Sequence, residues 1–224
     1  MGAKIQGVGT EHLYIQGVRE LGPGKFQIPP DRIVAGTYLC AAAAARSRIT
    51  LENVPVGELE SFLEVYRKMG GQYEGKSGTL RVKGERVCSP VPLVETGIYP
   101  GFPTDLQAPL MAVLAGIQGV SRIREKIFDD RFGSALQMRK MGAHIEITGN
   151  TAVICGTDTL KGCTTEAGDL RGGAALIIAA LGAKGETCIR GTEFISRGYE
   201  HICEDLEALG CRIWQSSGKG NERI

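Results

Sequence analysis

The 224-residue sequence predicts an α/β domain built from three similar units. A Met-Gly or Leu-Gly pair recurs about every 70 residues, at Met1, Met69, Met141 and Leu209. Alternating polar and apolar residues follow the pair, as in 144–147 (His-Ile-Glu-Ile), which is typical of a half-buried strand. An alanine-rich, apolar segment lies upstream in each unit and indicates a helix that is buried on every side.

An aspartate stands before each of these apolar segments. A carboxylate suits the free N–H groups and the positive charge at a helix N-terminus, so an N-cap is one interpretation for all three aspartates and the favoured one for the first. A short β-like segment follows each predicted helix. The aspartates are Asp31, Asp105 and Asp169, the helical segments are 36–45, 106–117 and 172–183, and the β-like segments are 48–54, 121–128 and 186–194.

Surface helices and hairpins complete each predicted unit. Apolar residues at i, i+3, i+4 and i+7 between Leu59 and Tyr66 predict an amphipathic helix, and Ile202, Leu206 and Leu209 repeat this pattern. In the first three copies, a Gly- or Asn-bearing turn and a second strand after the Met-Gly pair predict a hairpin. One unit therefore comprises a strand, a buried helix, a second strand, a surface helix and a hairpin.

The composition excludes several classes of protein. A formal net charge of +1 does not favour nucleic acid or an anionic membrane as a partner. No apolar run is long enough to span a bilayer. Seven cysteines without a CxxC pair favour neither a zinc site nor a disulfide framework, and three isolated histidines suggest no metal. We therefore expect a protein of the reducing cytoplasm that uses no metal and no cofactor.

Four motifs occur in the order typical of one enzyme family. The sequence YPGFPTD (99–105), followed by FDDRF (128–132), DLR (169–171) and RGYE (197–200), resembles the UDP-N-acetylglucosamine 1-carboxyvinyltransferase family, the enolpyruvyl transferases of peptidoglycan synthesis. The resemblance runs from Met1 to about Trp214 and implies an inverted α/β barrel of three repeats around buried helices. It also implies transfer of enolpyruvyl from phosphoenolpyruvate to the 3-hydroxyl of UDP-N-acetylglucosamine. The related shikimate-pathway transferase (acting on 3-phosphoshikimate) fits the PGFPTD stretch less well.

The resemblance implies a role for each charged residue in these motifs. Asp105 would be the base beside the sugar hydroxyl, with a plain N-cap as the alternative. Asp169 would lie near the reacting centre and orient Arg171, or would cap its helix. Without the motifs, each arginine would be interpreted as a surface ion-pair partner. The implied substrate contacts are Arg131 and Arg171 for the phosphoenolpyruvate carboxylate, Arg197 for its phosphate, and Asp105 and the backbone of Ile127 for the sugar.

The same resemblance implies that half of the enzyme is missing. Residues 1–20 match the end of a first-domain hairpin and a crossover, and 21–214 match one domain with repeats at about 21–88, 89–160 and 161–214. A flexible tail is expected at 215–224. The family's N-terminal domain, which carries the catalytic cysteine loop, has no counterpart here, so we expect this chain alone to be inactive and to require that domain or a companion chain.

Three departures from the family pattern keep an alternative open, one of which is that the family's usual acid after Ile33 is absent. Gly133-Ser134 stands where the family usually has Met-His, and Gly172-Gly173 stands where it has Ala-Ser. Glycine at a helix start weakens the helix by roughly 0.5–1 kcal/mol relative to alanine. A non-catalytic fragment, a pseudo-enzyme or a binding module of the same fold is therefore the alternative to a transferase half.

Overall fold

The computed structural model describes residues 1–216, so most of the predicted tail lies outside the described residues. The predicted α/β class is confirmed, with helices and strands interspersed along the chain. The elements are β1 (Lys4–Gln6), β2 (Tyr14–Gln16), α1 (Arg32–Ala44), β3 (Arg48–Leu51), α2 (Glu60–Lys68), β4 (Gln72–Lys76), β5 (Thr79–Lys83), β6 (Val94–Glu95), α3 (Gln107–Ala115), β7 (Gly119–Arg124), α4 (Gly133–Lys140), β8 (His144–Thr148), β9 (Thr151–Gly156), β10 (Thr164–Glu166), α5 (Leu170–Gly182), β11 (Cys188–Arg190), α6 (Thr192–Ile195) and α7 (Ile202–Ala208).

Three apolar helices, α1, α3 and α5, pack against one another in the centre of the domain. Near their N-termini, Gly36 permits a close approach, because a Cβ atom built on it would lie 2.4 Å from Leu106 Cδ1. At the opposite end, the last turns of all three helices line one small cavity of about 180 Å³. The three helices therefore run parallel, and their N-termini, which carry the positive ends of the helix dipoles, share one mouth of the domain.

Sheets and amphipathic helices enclose this centre. One sheet has the strand order β3-β5-β4, a second has β6-β7-β9-β8, and a third pairs β10 with β11 in parallel. On α2, Phe62, Leu63 and Tyr66 are buried, as the spacing of these apolar residues predicts. The second unit contains every predicted part: a leading strand, a buried helix, a strand, a surface helix and an antiparallel hairpin.

The recurring Met-Gly or Leu-Gly pair has a conformational origin. Its glycines, Gly2, Gly70, Gly142 and Gly210, all have φ between +86° and +93°. Three of these glycines end the surface helices α2, α4 and α7, where a left-handed residue commonly stops a helix. Since residues with a Cβ atom adopt this conformation only at a cost, each unit keeps glycine at this point.

The first and third units differ from the predicted pattern. Residues 21–30 form no leading strand, and residues 211–216 form no hairpin strand after α7, with Leu209 48% exposed. The hairpin β1–β2 forms as predicted, but Ile5 and Ile15 are exposed and not half-buried. The reason is that, within residues 1–216, β1 and β2 pair only with each other, so no further strand extends their sheet.

Three further features of the described residues concern membrane spans, metal sites and cysteines. None of their helices combines the length and the apolar character needed to cross a bilayer. Among residues 1–216, no three His, Cys, Asp or Glu side chains are grouped closely enough to hold a metal ion. All seven cysteines carry free thiols.

Candidate active site

The three aspartates that precede the central helices do not share one role. Asp31 caps α1 by accepting hydrogen bonds from the N–H groups of Ile33 (2.6 Å) and Val34 (3.4 Å). Asp169 caps α5 through the N–H of Gly172 (2.8 Å). Asp105 lies in a 3-10 turn before α3 and makes no capping hydrogen bond with its side chain. The N-cap interpretation is therefore confirmed for the first and third aspartates and wrong for Asp105.

Asp105 instead joins two arginines from different units. Arg131 Nη2 donates to its Oδ1 at 2.5 Å, and Arg171 Nη2 donates to its Oδ2 at 3.2 Å. The Arg171 side chain is only 15% exposed, while those of Arg131 and Asp105 are 26% and 36% exposed. The structure thus brings three of the predicted site residues together, although Arg171 stands 66 positions after Asp105.

Aromatic side chains support both guanidinium groups. Arg131 Cζ lies 4.7 Å from the centre of the Phe128 ring, a cation–π distance. Arg171 Nη1 donates to the Tyr199 hydroxyl at 3.0 Å, and that hydroxyl lies 2.8 Å from Thr37 Oγ1 on α1. Neither Tyr199 nor Thr37 was predicted to be a site residue, although Tyr199 lies within the RGYE motif.

A buried carboxylate, Glu125, organises the loops that carry the site. It is 2% exposed and accepts hydrogen bonds from the Thr96 and Thr104 hydroxyls at 2.7 and 2.8 Å. It also accepts from the N–H groups of Ile127 (2.8 Å) and Phe128 (3.2 Å). Glu125 therefore fixes the turn before Asp105 and the loop that leads to Arg131. Its position could have been identified from the alternation along β7, which places it on the buried face.

The other predicted residues lie apart from this ionic cluster or act through the backbone. Ile127 is partly buried, and its N–H is held by Glu125. Arg197 is exposed between α6 and α7, and no hydrogen bond or ion pair within residues 1–216 joins it to Asp105. Asp169 lies at the same helix end as Arg171 but bonds the backbone and not that guanidinium.

The electrostatics of this mouth favour an anion. Burial opposes the charge of Arg171, but Tyr199 and Asp105 more than offset it, so the pKa of the guanidinium lies above its ordinary value. Two fixed guanidinium groups and three converging helix N-termini surround one carboxylate. Guanidinium groups bind carboxylates and phosphates with charge-assisted hydrogen bonds, so the arrangement suits a small anionic molecule.

The fold and the site together define a three-repeat α/β domain in which two arginines flank one carboxylate at the mouth of the central helices. Residues 1–206 match the family model described as EPSP synthase (3-phosphoshikimate 1-carboxyvinyltransferase). The chain is 42% identical over 217 residues to a UDP-N-acetylglucosamine 1-carboxyvinyltransferase from Desulfofundulus thermocisternus, which covers 96% of this chain and 89% of that protein. The chain therefore belongs to the enolpyruvyl transferase family.

Other relatives show how much of a longer protein the chain represents. It is 43% identical to UDP-N-acetylglucosamine 1-carboxyvinyltransferase 2 of Bacillus subtilis, over 96% of this chain and 50% of that protein. A relative with the same name from Caldanaerobacter subterraneus is 41% identical over 95% of this chain and 51% of its own length. The chain thus spans about half the length of these two curated relatives.

Solved structures agree with this assignment. The enolpyruvyl transferase NikO from Streptomyces tendae superposes with a TM-score of 0.79 at 26% identity, covering 93% of this chain and 50% of that protein. EPSP synthase from Acinetobacter baumannii gives 0.58 at 22% identity, over 74% of this chain and 40% of its own, which supports the fold alone. The predicted enolpyruvyl transferase-like fold is therefore confirmed.

Proposed function

We propose that this chain supplies the acid- and arginine-bearing half of a UDP-N-acetylglucosamine 1-carboxyvinyltransferase, acting in peptidoglycan synthesis in the cytoplasm. The observation that carries the proposal is Asp105 held between Arg131 and Arg171 at the mouth of the central helices. The names of the relatives at 41–43% identity support the choice of sugar nucleotide. The other half, as a further domain or a companion chain, would supply the acid that the reaction also needs.

In the proposed reaction the two arginines bind the carboxylate of phosphoenolpyruvate. Each guanidinium has five N–H donors, so it can hold a substrate carboxylate while it keeps one bond to Asp105. This double use places the substrate close to Asp105 and fixes its orientation, which is worth more to the rate than binding strength alone. Arg197 would contact the phosphate, and the backbone of Ile127 would contact the sugar.

Asp105 is the proposed base in this reaction. The sugar 3-hydroxyl attacks C2 of phosphoenolpyruvate, its proton passes to Asp105, and C3 gains a proton from the acid of the other half. The tetrahedral adduct then loses a proton from C3 while the C2–O bond to phosphate breaks, which forms the enol ether and releases inorganic phosphate. Asp169 would hold the first turn of α5, and with it Arg171, in place.

One comparison favours 3-phosphoshikimate as an alternative acceptor of the enolpyruvyl group. The matching family model is described by 3-phosphoshikimate, which is also a phosphorylated hydroxyl compound. The arginine pair would bind phosphoenolpyruvate equally well in either transferase. Binding of the acceptor, UDP-N-acetylglucosamine or 3-phosphoshikimate, therefore distinguishes the two functions.

Ligand binding to the chain tests the proposal. We expect phosphoenolpyruvate to bind with a roughly millimolar Kd in calorimetry or NMR titration, and UDP-N-acetylglucosamine but not 3-phosphoshikimate to increase that affinity. Arg171→Ala is expected to abolish binding. Arg124→Ala is the matched control, because the exposed Arg124 side chain pairs with Glu95 at 3.1 Å and not with Asp105. A folded chain that binds no phosphoenolpyruvate, or binds it equally after both substitutions, would contradict the proposal.

A further inference from the structure

We infer that Tyr199 and Thr37 are positioning residues that hold the Arg171 guanidinium in its substrate-binding orientation through a one-way chain of hydrogen bonds. The inference rests on the proposed function for what Arg171 binds. Its geometry does not depend on that function, because the chain runs from Arg171 through the Tyr199 hydroxyl and Thr37 Oγ1 to the carbonyl of Ile33.

The direction of this chain follows from donor counting. A hydroxyl has one proton to donate. Thr37 Oγ1 donates its proton to the carbonyl oxygen of Ile33, one turn earlier in α1, at 2.9 Å. The contact of 2.8 Å between Thr37 and Tyr199 must therefore use the proton of Tyr199. Having donated that proton, the Tyr199 hydroxyl presents only lone pairs to Arg171, whose Nη1 lies 3.0 Å away.

Because these hydroxyls are buried, the loss of either hydrogen-bond partner is costly. Tyr199 is 4% exposed and Thr37 is 2% exposed, so water is poorly placed to replace a lost partner. Burial is also the main reason that the pKa of Tyr199 lies above its ordinary value, which keeps the hydroxyl protonated and able to donate to Thr37. The neutral Tyr199 hydroxyl can thus accept a hydrogen bond from the Arg171 guanidinium.

The two bonds of Arg171 define the plane of its guanidinium. Nη1 is held by Tyr199 and Nη2 by Asp105, at 3.0 and 3.2 Å. Three of the five N–H protons have no acceptor among the residues that the structure describes, and these are available to a ligand. Because a planar fork binds a carboxylate well only in one orientation, losing the Tyr199 bond frees the guanidinium to rotate and weakens the ligand contact.

This series of hydrogen bonds also couples the three repeats. Thr37 belongs to the central helix of the first unit, Asp105 to the second, and Arg171 and Tyr199 to the third. The orientation of one guanidinium therefore depends on the correct docking of all three units. Tyr199→Phe would keep the ring but would remove the hydroxyl that links Thr37 on α1 to Arg171.

The test uses three variants: Tyr199→Phe, Thr37→Val and the double variant that combines these two. Tyr38→Phe is the control with which they are compared. Tyr38 is the matched control because it adjoins Thr37 in α1, but its hydroxyl bonds Asp205 and not the site. The first measurement is the ¹H–¹⁵N NMR spectrum of the arginine side chains without ligand. We expect separate, slowly rotating Nη protons for Arg171 in the wild type and in Tyr38→Phe, and averaged signals in Tyr199→Phe.

The second measurement is the Kd for phosphoenolpyruvate. We expect the Kd to rise about 10-fold in Tyr199→Phe and about 3-fold in Thr37→Val. The Kd of the double variant is expected to equal that of Tyr199→Phe, because both substitutions break the same series of hydrogen bonds. Unchanged Arg171 signals in Tyr199→Phe, or additive effects, would overturn the inference. If the wild type binds no phosphoenolpyruvate, the proposed function fails while the side-chain spectrum still decides this inference. If Tyr199→Phe does not fold, Thr37→Val decides by the same readouts.

Discussion

Asp105 and Arg171 lie in different repeats, yet Arg171 Nη2 is 3.2 Å from Asp105 Oδ2. Their contact closes an ionic cluster that begins at Arg131 and continues to Tyr199 and Thr37. Because the carboxylate separates two guanidinium groups that would otherwise repel each other, it contributes to stability as well as to the proposed chemistry.

Removing that carboxylate charge is expected to destabilise the domain. Asp105→Asn keeps the shape but leaves two partly buried guanidinium groups without a counter-charge. We expect a loss of about 1–2 kcal/mol in the free energy of unfolding, measured by urea denaturation, with the figure reduced because the group is one-third exposed. Sodium phosphate, which can occupy the arginines, is expected to recover part of the loss. An unchanged free energy of unfolding would show that the cluster contributes nothing to folding.

Glu125 is expected to be the most sensitive position around the site. Glu125→Ala leaves two hydroxyls and two N–H groups without their acceptor, so we expect a loss of about 2–4 kcal/mol in unfolding free energy. Glu125→Gln keeps one acceptor oxygen and can donate to Thr104 through its amide, so a loss near 1 kcal/mol is expected. Equal losses in the two variants would contradict this account of the loop.

Two glycines that depart from the family pattern are expected to respond in opposite ways. A Cβ atom on Gly133 would meet nothing within 4 Å, so Gly133→Ala is expected to stabilise α4 by up to about 1 kcal/mol. A Cβ atom on Gly173 would lie 2.5 Å from Ile195 Cγ1 and 3.0 Å from Ala167 Cβ, so Gly173→Ala is expected to cost about 1–3 kcal/mol. Thermal unfolding of both variants checks the pair, and an equal response would contradict the packing described here.

Stability is expected to fall in alkaline solution because of buried tyrosines. Burial raises the pKa of Tyr66 above its ordinary value of 10.0, and Cys40 and Glu85 add to the shift. The unfolded chain therefore loses this proton first, and stability that is complete below pH 10 declines as pH rises above it. Tyr66→Phe is expected to reduce that slope by about 0.7 kcal/mol per pH unit at pH 10, approaching about 1.4 kcal/mol per pH unit at higher pH. Urea titrations between about pH 9 and 11 compare the slopes, and identical slopes would refute the assignment.

Local patterns located most elements of this fold. The spacing of Phe62, Leu63 and Tyr66 predicted α2 and its buried face, and the alanine-rich segments predicted three central helices. The recurring Met-Gly pair predicted the repeat because a positive φ is a local requirement. The incorrect predictions concern strands, which depend on neighbouring strands that lie far away in sequence. Residues 211–216 form no strand, and β1 and β2 form their hairpin but remain exposed.

The site was predictable only through the resemblance. No spacing rule joins Asp105 to Arg171, because the contact arises from the packing of two units. Glu125, Tyr199 and Thr37 were missed since they act on other protein groups, although the inward position of Glu125 on the strand pattern was a usable signal. By its position before a helix Asp105 looked like the caps at Asp31 and Asp169; the resemblance favoured a different role, and the structure shows no capping hydrogen bond from its side chain.

Phosphate release is the most direct test of the central claim that Asp105 and its two arginines serve enolpyruvyl transfer. The chain would be mixed with the N-terminal half of the Bacillus subtilis relative, phosphoenolpyruvate and UDP-N-acetylglucosamine, with that relative's own two halves as the positive control. We predict phosphate release that falls at least about 100-fold with Asp105→Asn, as expected for a lost general base. No release from the folded mixture, where the control pair is active, or release unaffected by Asp105→Asn, would contradict the account.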